Sequence, residues 1–345
     1  MIWLTWRQFR AQAAAVYVAV AAFAVVLAIN GPRLVRLARA YPDSVFDQLS
    51  RIDHYLYNAG LVALALAPAI VGAFWGAPMV ARELESGTHQ LVWNQTITRT
   101  RWLATKLGVT ALAAAAAVGV LTLAVSWWAE PLDGITGSAR GALPSRVTPV
   151  AFAMRGIAPV GYAVFALVLG VAVGLVLRRT VPAMAVTLAV FTLVQIAVPL
   201  WVRPHLVPPV QQTVTIADHL DGIRIPEPGG AVQVEVTTGQ RGDWILSNDT
   251  VDASGRKVSA LPSWFTDCIP PPPSPSSPPP AQSAEVRTGG LQACLVRLGD
   301  LGYRQRVVYQ PDSRFWPLQW AETALFGALA GLLAWFCFWW SRRAA

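Results

Sequence analysis

Six long runs of apolar residues constrain this chain more than any other feature. They cover residues 11–29, 58–81, 107–129, 156–177, 180–202 and 317–340, and the only charge in any of them is Glu322, near the start of the last. Each run is close to the roughly 20 residues a helix needs to cross the hydrocarbon core of a bilayer. Of all residues, 54% are hydrophobic and only 13% charged, about half the ~25% charged fraction of a soluble domain. The expected fold is an all-α polytopic membrane protein with six transmembrane helices and a β-containing extracytoplasmic domain between the fifth and sixth.

The placement of basic residues orients the chain. With the N-terminus inside, the cytoplasmic segments hold Arg7, Arg10, Arg82, Arg99, Arg101, Lys106, Arg178, Arg179, Arg342 and Arg343, against the acids Glu83 and Glu85. In the short outer loops Arg33, Arg36, Arg39, Arg51, Arg140, Arg146 and Arg155 are offset by Asp43, Asp47, Asp53, Glu130, Asp133 and Glu322. The excess of bases places both termini of a multi-pass membrane protein in the cytoplasm, and the many Ala with only two Lys among 27 bases fit a GC-rich bacterial genome and hence a bacterial plasma membrane; the four arginines of the first outer loop run against this orientation. A formal charge of +8 would suggest nucleic acid for a soluble protein, but the excess belongs to the membrane half, so no nucleic-acid partner is expected.

Four regions follow. Residues 1–10, MIWLTWRQFR, set Ile2, Trp6 and Phe9 on one helical face and read as an interfacial amphipathic helix; a signal peptide is the alternative, although the apolar run is longer than such segments carry. Residues 11–202 hold the first five spans and a polar connector, 82–106. Residues 203–316, with ten bases and eleven acids, form the extracytoplasmic domain, in which 232–236, 213–216 and 304–309 alternate as half-buried strands do. Residues 317–345 supply the sixth span and a cytoplasmic tail.

Within the outer domain Cys268 and Cys294 bracket a Pro-rich run, 270–280, that is too stiff to pack a core. In an oxidising compartment they are candidates for a disulfide, with two buried free thiols the alternative; Cys337, inside the sixth span, reads as a packing residue. Gly170 with Gly174 and Gly327 with Gly331 are GxxxG pairs that allow close helix approach within or between subunits. Trp127, Trp128, Trp201, Trp316, Trp320, Trp339 and Trp340 cluster at run ends, as interfacial anchors do. Pro68, Pro199 and Gln195 are the features able to kink a span or touch a polar substrate.

The sequence has no GxxxxGK[ST] phosphate loop, no HExxH and no GxSxG, and its four histidines have no metal-ligand spacing. Neither ATP hydrolysis, metal chemistry nor hydrolase chemistry is expected of this chain. Spans one to five contain no acid or base, and Glu322 is placed near the outer end of the sixth, within reach of water, which argues against an ion-coupled transporter.

The connector, RELESGTHQLVWNQTITRTRWLATK, is too dense for a passive turn. Leu84, Leu91, Val92, Trp93, Ile97, Trp102 and Leu103 are too apolar for a solvated loop, Gly87 is a break after the second span, and Thr98 suits the N-cap of a helix leading into the third. Such a segment wants a partner, either lipid headgroups or a protein.

The acidic RELE stretch, the GTH turn, the Trp and Gln, and the TRTRW entry into the third span resemble the membrane subunits of ATP-binding-cassette (ABC) transporters of the type 2 exporter class, particularly actinobacterial permeases. MIWLTWRQFR, YQPDSRFWPLQWAET and CFWWSRR are similar to that group as well. The resemblance implies a permease, itself not an enzyme and without a cofactor of its own, paired with a second permease copy and with separate ABC ATPase subunits that bind ATP. It implies that the connector docks on the ATPase through Arg82, Glu83, Glu85, Gly87, Thr88, Arg99 and Arg101, and that the complex exports a substrate the sequence does not identify. A reading from another class is a membrane sensor or scaffold with an extracytoplasmic ligand-binding domain.

Overall fold

The computed structural model describes residues 2–41, 45–87, 98–133, 145–224, 232–238, 242–269 and 284–343. The chain forms two compact units, Met1–Pro208 with Ser313–Ala345, and Pro209–Asp312. The first unit is helical and, among the described residues, contains six helices long and apolar enough to cross a membrane.

Helix α1, Ile2–Ala40, is about 58 Å long at 1.5 Å per residue, roughly twice the ~30 Å hydrocarbon thickness. Residues 2–10 form its opening turns and continue without interruption into the span, because the Ala-rich sequence that follows is strongly helix-forming and offers no break. Its far end is tied to the next helix, α2, Arg51–Ile70. Ser50 caps α2 in a reciprocal box with Asp53, and Arg33 of α1 pairs with Asp53 at 3.1 Å. One of the four arginines that run against the orientation therefore has its own carboxylate.

After Pro68, α2 widens into a π-helical turn, Val71–Gly76, and continues as α3, Ala77–Glu85. Helix α4 covers Arg99–Asp133. A short helix α5, Pro149–Phe152, precedes α6, Ala158–Leu177. Helix α7, Thr180–Ala197, passes through a second π-helical turn at Val198–Val202, which contains Pro199, into α8, Arg203–Leu206.

Helix α6 is the axis of this unit. Its sequence is apolar on every side, the signature of a helix buried all round, and 72% of its most apolar window is buried, against 11% for the first spanning helix and 22% for the fifth and sixth. Small residues set how closely α2 and α3 approach it. A Cβ added to Gly72 would lie 2.7 Å from the Ala166 carbonyl oxygen and one on Gly76 2.4 Å from that of Leu167; one on Gly170 would lie 2.2 Å from the Gly72 oxygen and one on Gly174 2.7 Å from that of Ala77. Two GxxxG pairs thus mesh, backbone against backbone. Gly72 and Gly76 were not singled out from the sequence, although their spacing is the same as that of Gly170 and Gly174. By contrast, Gly327 and Gly331 have no atom of another element within 4 Å of an added Cβ. Trp127, Trp201, Trp316 and Trp320 are exposed, whereas Trp128, one helical step from Trp127, is fully buried and packs with Tyr57 and Leu132 in place of anchoring at the interface.

The second unit is mixed α/β. Strands β1, Val210–Val214, β4, Trp244–Val251, and β5, Arg304–Gln310, form an antiparallel sheet in the order β1-β5-β4; β2, Leu220–Arg224, and β3, Gln233–Val236, form a hairpin. A single turn, α9, Ile216–His219, joins β1 to β2, so the strand expected at 213–216 ends at Val214. Helix α10, Ala284–Asp300, packs Leu295 and Leu298 with Val234, Phe265, Val307 and Tyr309. Cys294 of α10 is bonded to Cys268, with sulfurs 2.06 Å apart. The Pro-rich run 270–280 lies outside the described residues. The last helix, α11, Phe315–Arg343, returns to the first unit and buries Cys337 as a free thiol.

The glycine contacts carry a direct test. Gly76→Ala or Gly170→Ala forces backbone apart and is expected to cost about 1–3 kcal/mol, read as a lowered thermal midpoint of the purified protein, while Gly327→Ala and Gly331→Ala leave the midpoint of the single chain unchanged.

Candidate functional site

The last turn of α3 and the first two turns of α4 are the two ends of the connector, and their side chains are held by ties within the chain. Helix α4 starts at Arg99, where the hydroxyl of Thr98 accepts from the Arg101 amide at 3.3 Å, satisfying one of the free donors of the first turn. Trp102 and Leu103 of that turn point into the bundle and are buried. One turn further, Lys106 is buried, forms an ion pair with Glu83 of α3 and sits 4.8 Å from the Trp102 ring centroid. An ammonium away from water needs this pairing, and the pair fastens α3 to α4.

Glu85, two residues on, faces another helix. Its carboxylate accepts from the Thr180 amide at 3.0 Å and from the Thr180 hydroxyl at 2.7 Å, so it caps the N-terminus of α7, where a negative charge is favoured. The chain reaches that point through Arg178, which closes α6 in the left-handed conformation at φ 54°. The connector end of α3 is therefore joined to α4 through Glu83 and to α7 through Glu85. Left exposed around it are Arg82, Gly87, Arg101, Arg178 and Arg179, and Gly87 ends the helix at φ 71°.

Beside these ties, α1, the π-helical turn with α3, and α4 line an open cavity of about 590 Å³, with Phe9, Trp75 and Met79 on its apolar side and Arg82, Glu83 and Lys106 on its polar side.

The other end of the same helices holds a second set of polar contacts. Arg203 of α8 and Glu322 of α11 are fully buried and meet in a two-pronged ion pair, Nε to Oε2 at 2.6 Å and Nη2 to Oε1 at 2.8 Å. Arg203 also donates to the Pro149 carbonyl at 2.8 Å and lies 4.4 Å from the Phe152 ring centroid, while Tyr162 donates to Glu322. Nearby, Gln319 accepts from the amides of Ile157 and Ala158 at 3.0 and 2.8 Å and donates to the Phe152 carbonyl at 3.1 Å. Thr122 donates to the Gly156 carbonyl at 2.9 Å, and Arg155 pairs with Asp133. The segment 149–158 is thereby fastened to α4, α8 and α11. Among the described residues no group of three or more His, Cys, Asp or Glu could hold a metal ion.

A family model described as "ABC-2 membrane transporter related" matches residues 11–203, more than half of the chain. The chain belongs to this ABC-2 family. Comparison with curated proteins and with solved structures finds no match. Membership makes the chain a multi-pass membrane permease component, of a class that is generally not enzymatic and associates with an ABC ATPase subunit. The matched residues include the glycine crossing, α4, α6 and the ties at Glu83 and Glu85. The strands and α11 lie outside them.

For an ABC-2 component the residues around the connector divide into two groups. Glu83 and Glu85 are engaged inside the chain; Gly87 and Arg101 are exposed, and Arg82 lines the cavity. Arg99 is half-buried. Thr88, Leu91, Val92, Trp93 and Ile97 lie outside the described residues. Glu322, expected within reach of water, is instead buried and sealed by Arg203, because the fifth span continues through its π-helical turn into α8 beside α11. Sequence reasoning passed over Arg203 by assigning it to the outer domain. The available signal was Glu322 itself, since an acid in a span calls for a base at the same end of the bundle.

Glu322→Gln strands the Arg203 guanidinium and is expected to lower stability by about 3–5 kcal/mol, whereas Arg203→Met combined with Glu322→Met recovers most of that loss. Thermal unfolding of the purified variants measures both.

Proposed function

We propose that the chain is the transmembrane subunit of an ATP-driven exporter in the bacterial plasma membrane, acting as a pair of permeases with separate ATPase subunits. Both termini and the connector 82–106 face the cytoplasm, and residues 209–312 lie on the outer side, where the Cys268–Cys294 bond suits an oxidising compartment. Gly327 and Gly331, with no atom of another element within 4 Å of an added Cβ among the described residues, are available to the second copy.

One observation carries this reading: the end of α3 is fastened to α4 and α7 by charged contacts while Gly87 and Arg101 stay exposed beside it. A segment of this kind passes on a push as a rigid-body displacement and does not absorb it as loop bending. Arg99, Arg101, Gly87 and Thr88 make the contact with the ATPase. Glu83 and Glu85 transmit it, the first to the third span and the second to the fifth. ATP closes the ATPase pair, the connector moves with it, and the spans shift between inward-open and outward-open arrangements.

Arg99→Glu with Arg101→Glu is expected to abolish co-purification of the ATPase subunit. Glu85→Ala is expected to keep co-purification and lose at least half of the substrate-stimulated ATPase activity. If the double charge reversal leaves both complex and stimulation intact, the connector is not the contact. Orientation has its own measurement: a cysteine at exposed Ser254 is expected to react with a membrane-impermeant maleimide on intact cells, and labelling only after lysis would reverse the topology.

A further inference from the structure

The cavity of about 590 Å³ between α1, α3 and α4 is large enough for a small-molecule ligand and is built unevenly. Phe9 and Trp75 meet edge to face at 4.5 Å on its apolar side. Two cations, Arg82 and Lys106, face a single acid, Glu83, across its polar side. Lys106 already uses that acid, and no ion pair to the Arg82 guanidinium occurs among the described residues, so one positive charge is left over at the rim. Leading away from the cavity along α2, Val62, Leu66, Ile70 and Phe74 are each exposed by two-fifths or more, and Phe74 lines the cavity itself. The helices concerned are long and apolar enough to cross a membrane, and Arg82 lies in the last turn of α3, at the polar end of that stretch.

We propose that this cavity binds an anionic phospholipid, its phosphate at Arg82 and its acyl chains along Phe74, Ile70 and Leu66. A free phosphate ion has no use for the aromatic wall, and a cationic amphiphile would meet the unneutralised guanidinium. The assignment requires that the helices sit in a bilayer. It does not require the ATPase, so it stands or falls separately from the coupling role of the connector.

The full-length chain, purified in a neutral detergent and delipidated, is titrated with phosphatidylglycerol or with phosphatidylcholine of the same acyl chains, and bound lipid is counted by native mass spectrometry. The wild type is expected to hold one phosphatidylglycerol more tightly than phosphatidylcholine. Loss of one basic residue near a membrane surface corresponds to about fivefold in affinity, so Arg82→Gln is expected to weaken phosphatidylglycerol by about that factor and leave phosphatidylcholine unchanged. Arg82→Lys restores the preference. Arg342→Gln, an exposed base at the end of α11, has no effect. Because Arg82 is exposed, its replacement does not threaten the fold, and an unchanged thermal midpoint verifies this. Three results overturn the proposal: equal affinity for the two lipids, an equal loss on Arg342→Gln, which would mean diffuse surface charge, or displacement of the lipid by millimolar inorganic phosphate, which would mean an anion site without lipid selectivity.

Discussion

Backbone contact between the second and fourth spans fixes the geometry of the membrane unit. Inside a bilayer no hydrophobic force presses helices together, because lipid tails are as apolar as leucine, so association depends on close packing. Gly72 and Gly76 on one side and Gly170 and Gly174 on the other leave carbonyl oxygens where Cβ atoms would stand. The π-helical turn at Val71–Gly76 falls at this crossing, just after Pro68. Proline removes one amide donor from the helical ladder, and a π-helical turn shifts the side chains that follow it around the helix axis. Glu83 and Glu85 lie downstream of that turn, one against Lys106 and the other against Thr180.

The two ends of the bundle use charge differently. At the connector end the ion pair and the cap leave arginines exposed around them, as an end that meets water or a partner must. At the other end Arg203 and Glu322 are withdrawn from solvent entirely and satisfied by Tyr162, the Pro149 carbonyl and each other. A buried pair of this kind adds little stability over an apolar packing of the same volume, yet breaking it is costly. Its effect is to fix position: it leaves α8, α11 and the segment before α6 only one arrangement in which no charge is stranded.

Much of this was legible in the sequence, for physical reasons that differ by feature. The six apolar runs could be read because span length is set by bilayer thickness and needs no knowledge of packing. Thr98 could be read because capping is local. The ABC-2 family was legible in the connector, where charge, Gly and Trp concentrate. Contacts between distant segments were not legible: Glu322 calls for a base, but Arg203 is 119 positions away, and nothing local marks it as that base. The burial of Trp128 depends on helix phase, which a cluster of tryptophans at the end of a run does not specify. In the second unit β4, WILSNDTV, alternates too weakly to show as a strand, since sheet pairing and not its own pattern holds it. Helix α10 contains two adjacent glycines, each unfavourable in a helix interior, and it gains its order from the Cys268 bond and from packing against the sheet.

The ties at the connector also bear on how a push from one end could reach the other. Helix α7 begins at Thr180, under the Glu85 carboxylate, and runs through the π-helical turn at Val198–Val202 to Arg203, whose guanidinium holds Glu322. One continuous helical path therefore has a charged grip at each end and a stretch of altered pitch before the second. A rigid rod would carry a displacement at Thr180 straight to Arg203 and strain the buried pair. A π-helical turn lets the rod bend at Pro199, where the ladder already lacks a donor, so that α8 can stay with Glu322 while α7 moves. The same logic applies to the second span, where the π-helical turn lies between the Arg33–Asp53 anchor and the Glu83–Lys106 anchor. In both spans the irregular turn lies between two fixed points, and a helix held at both ends can change length or direction only where its hydrogen-bond ladder is already open.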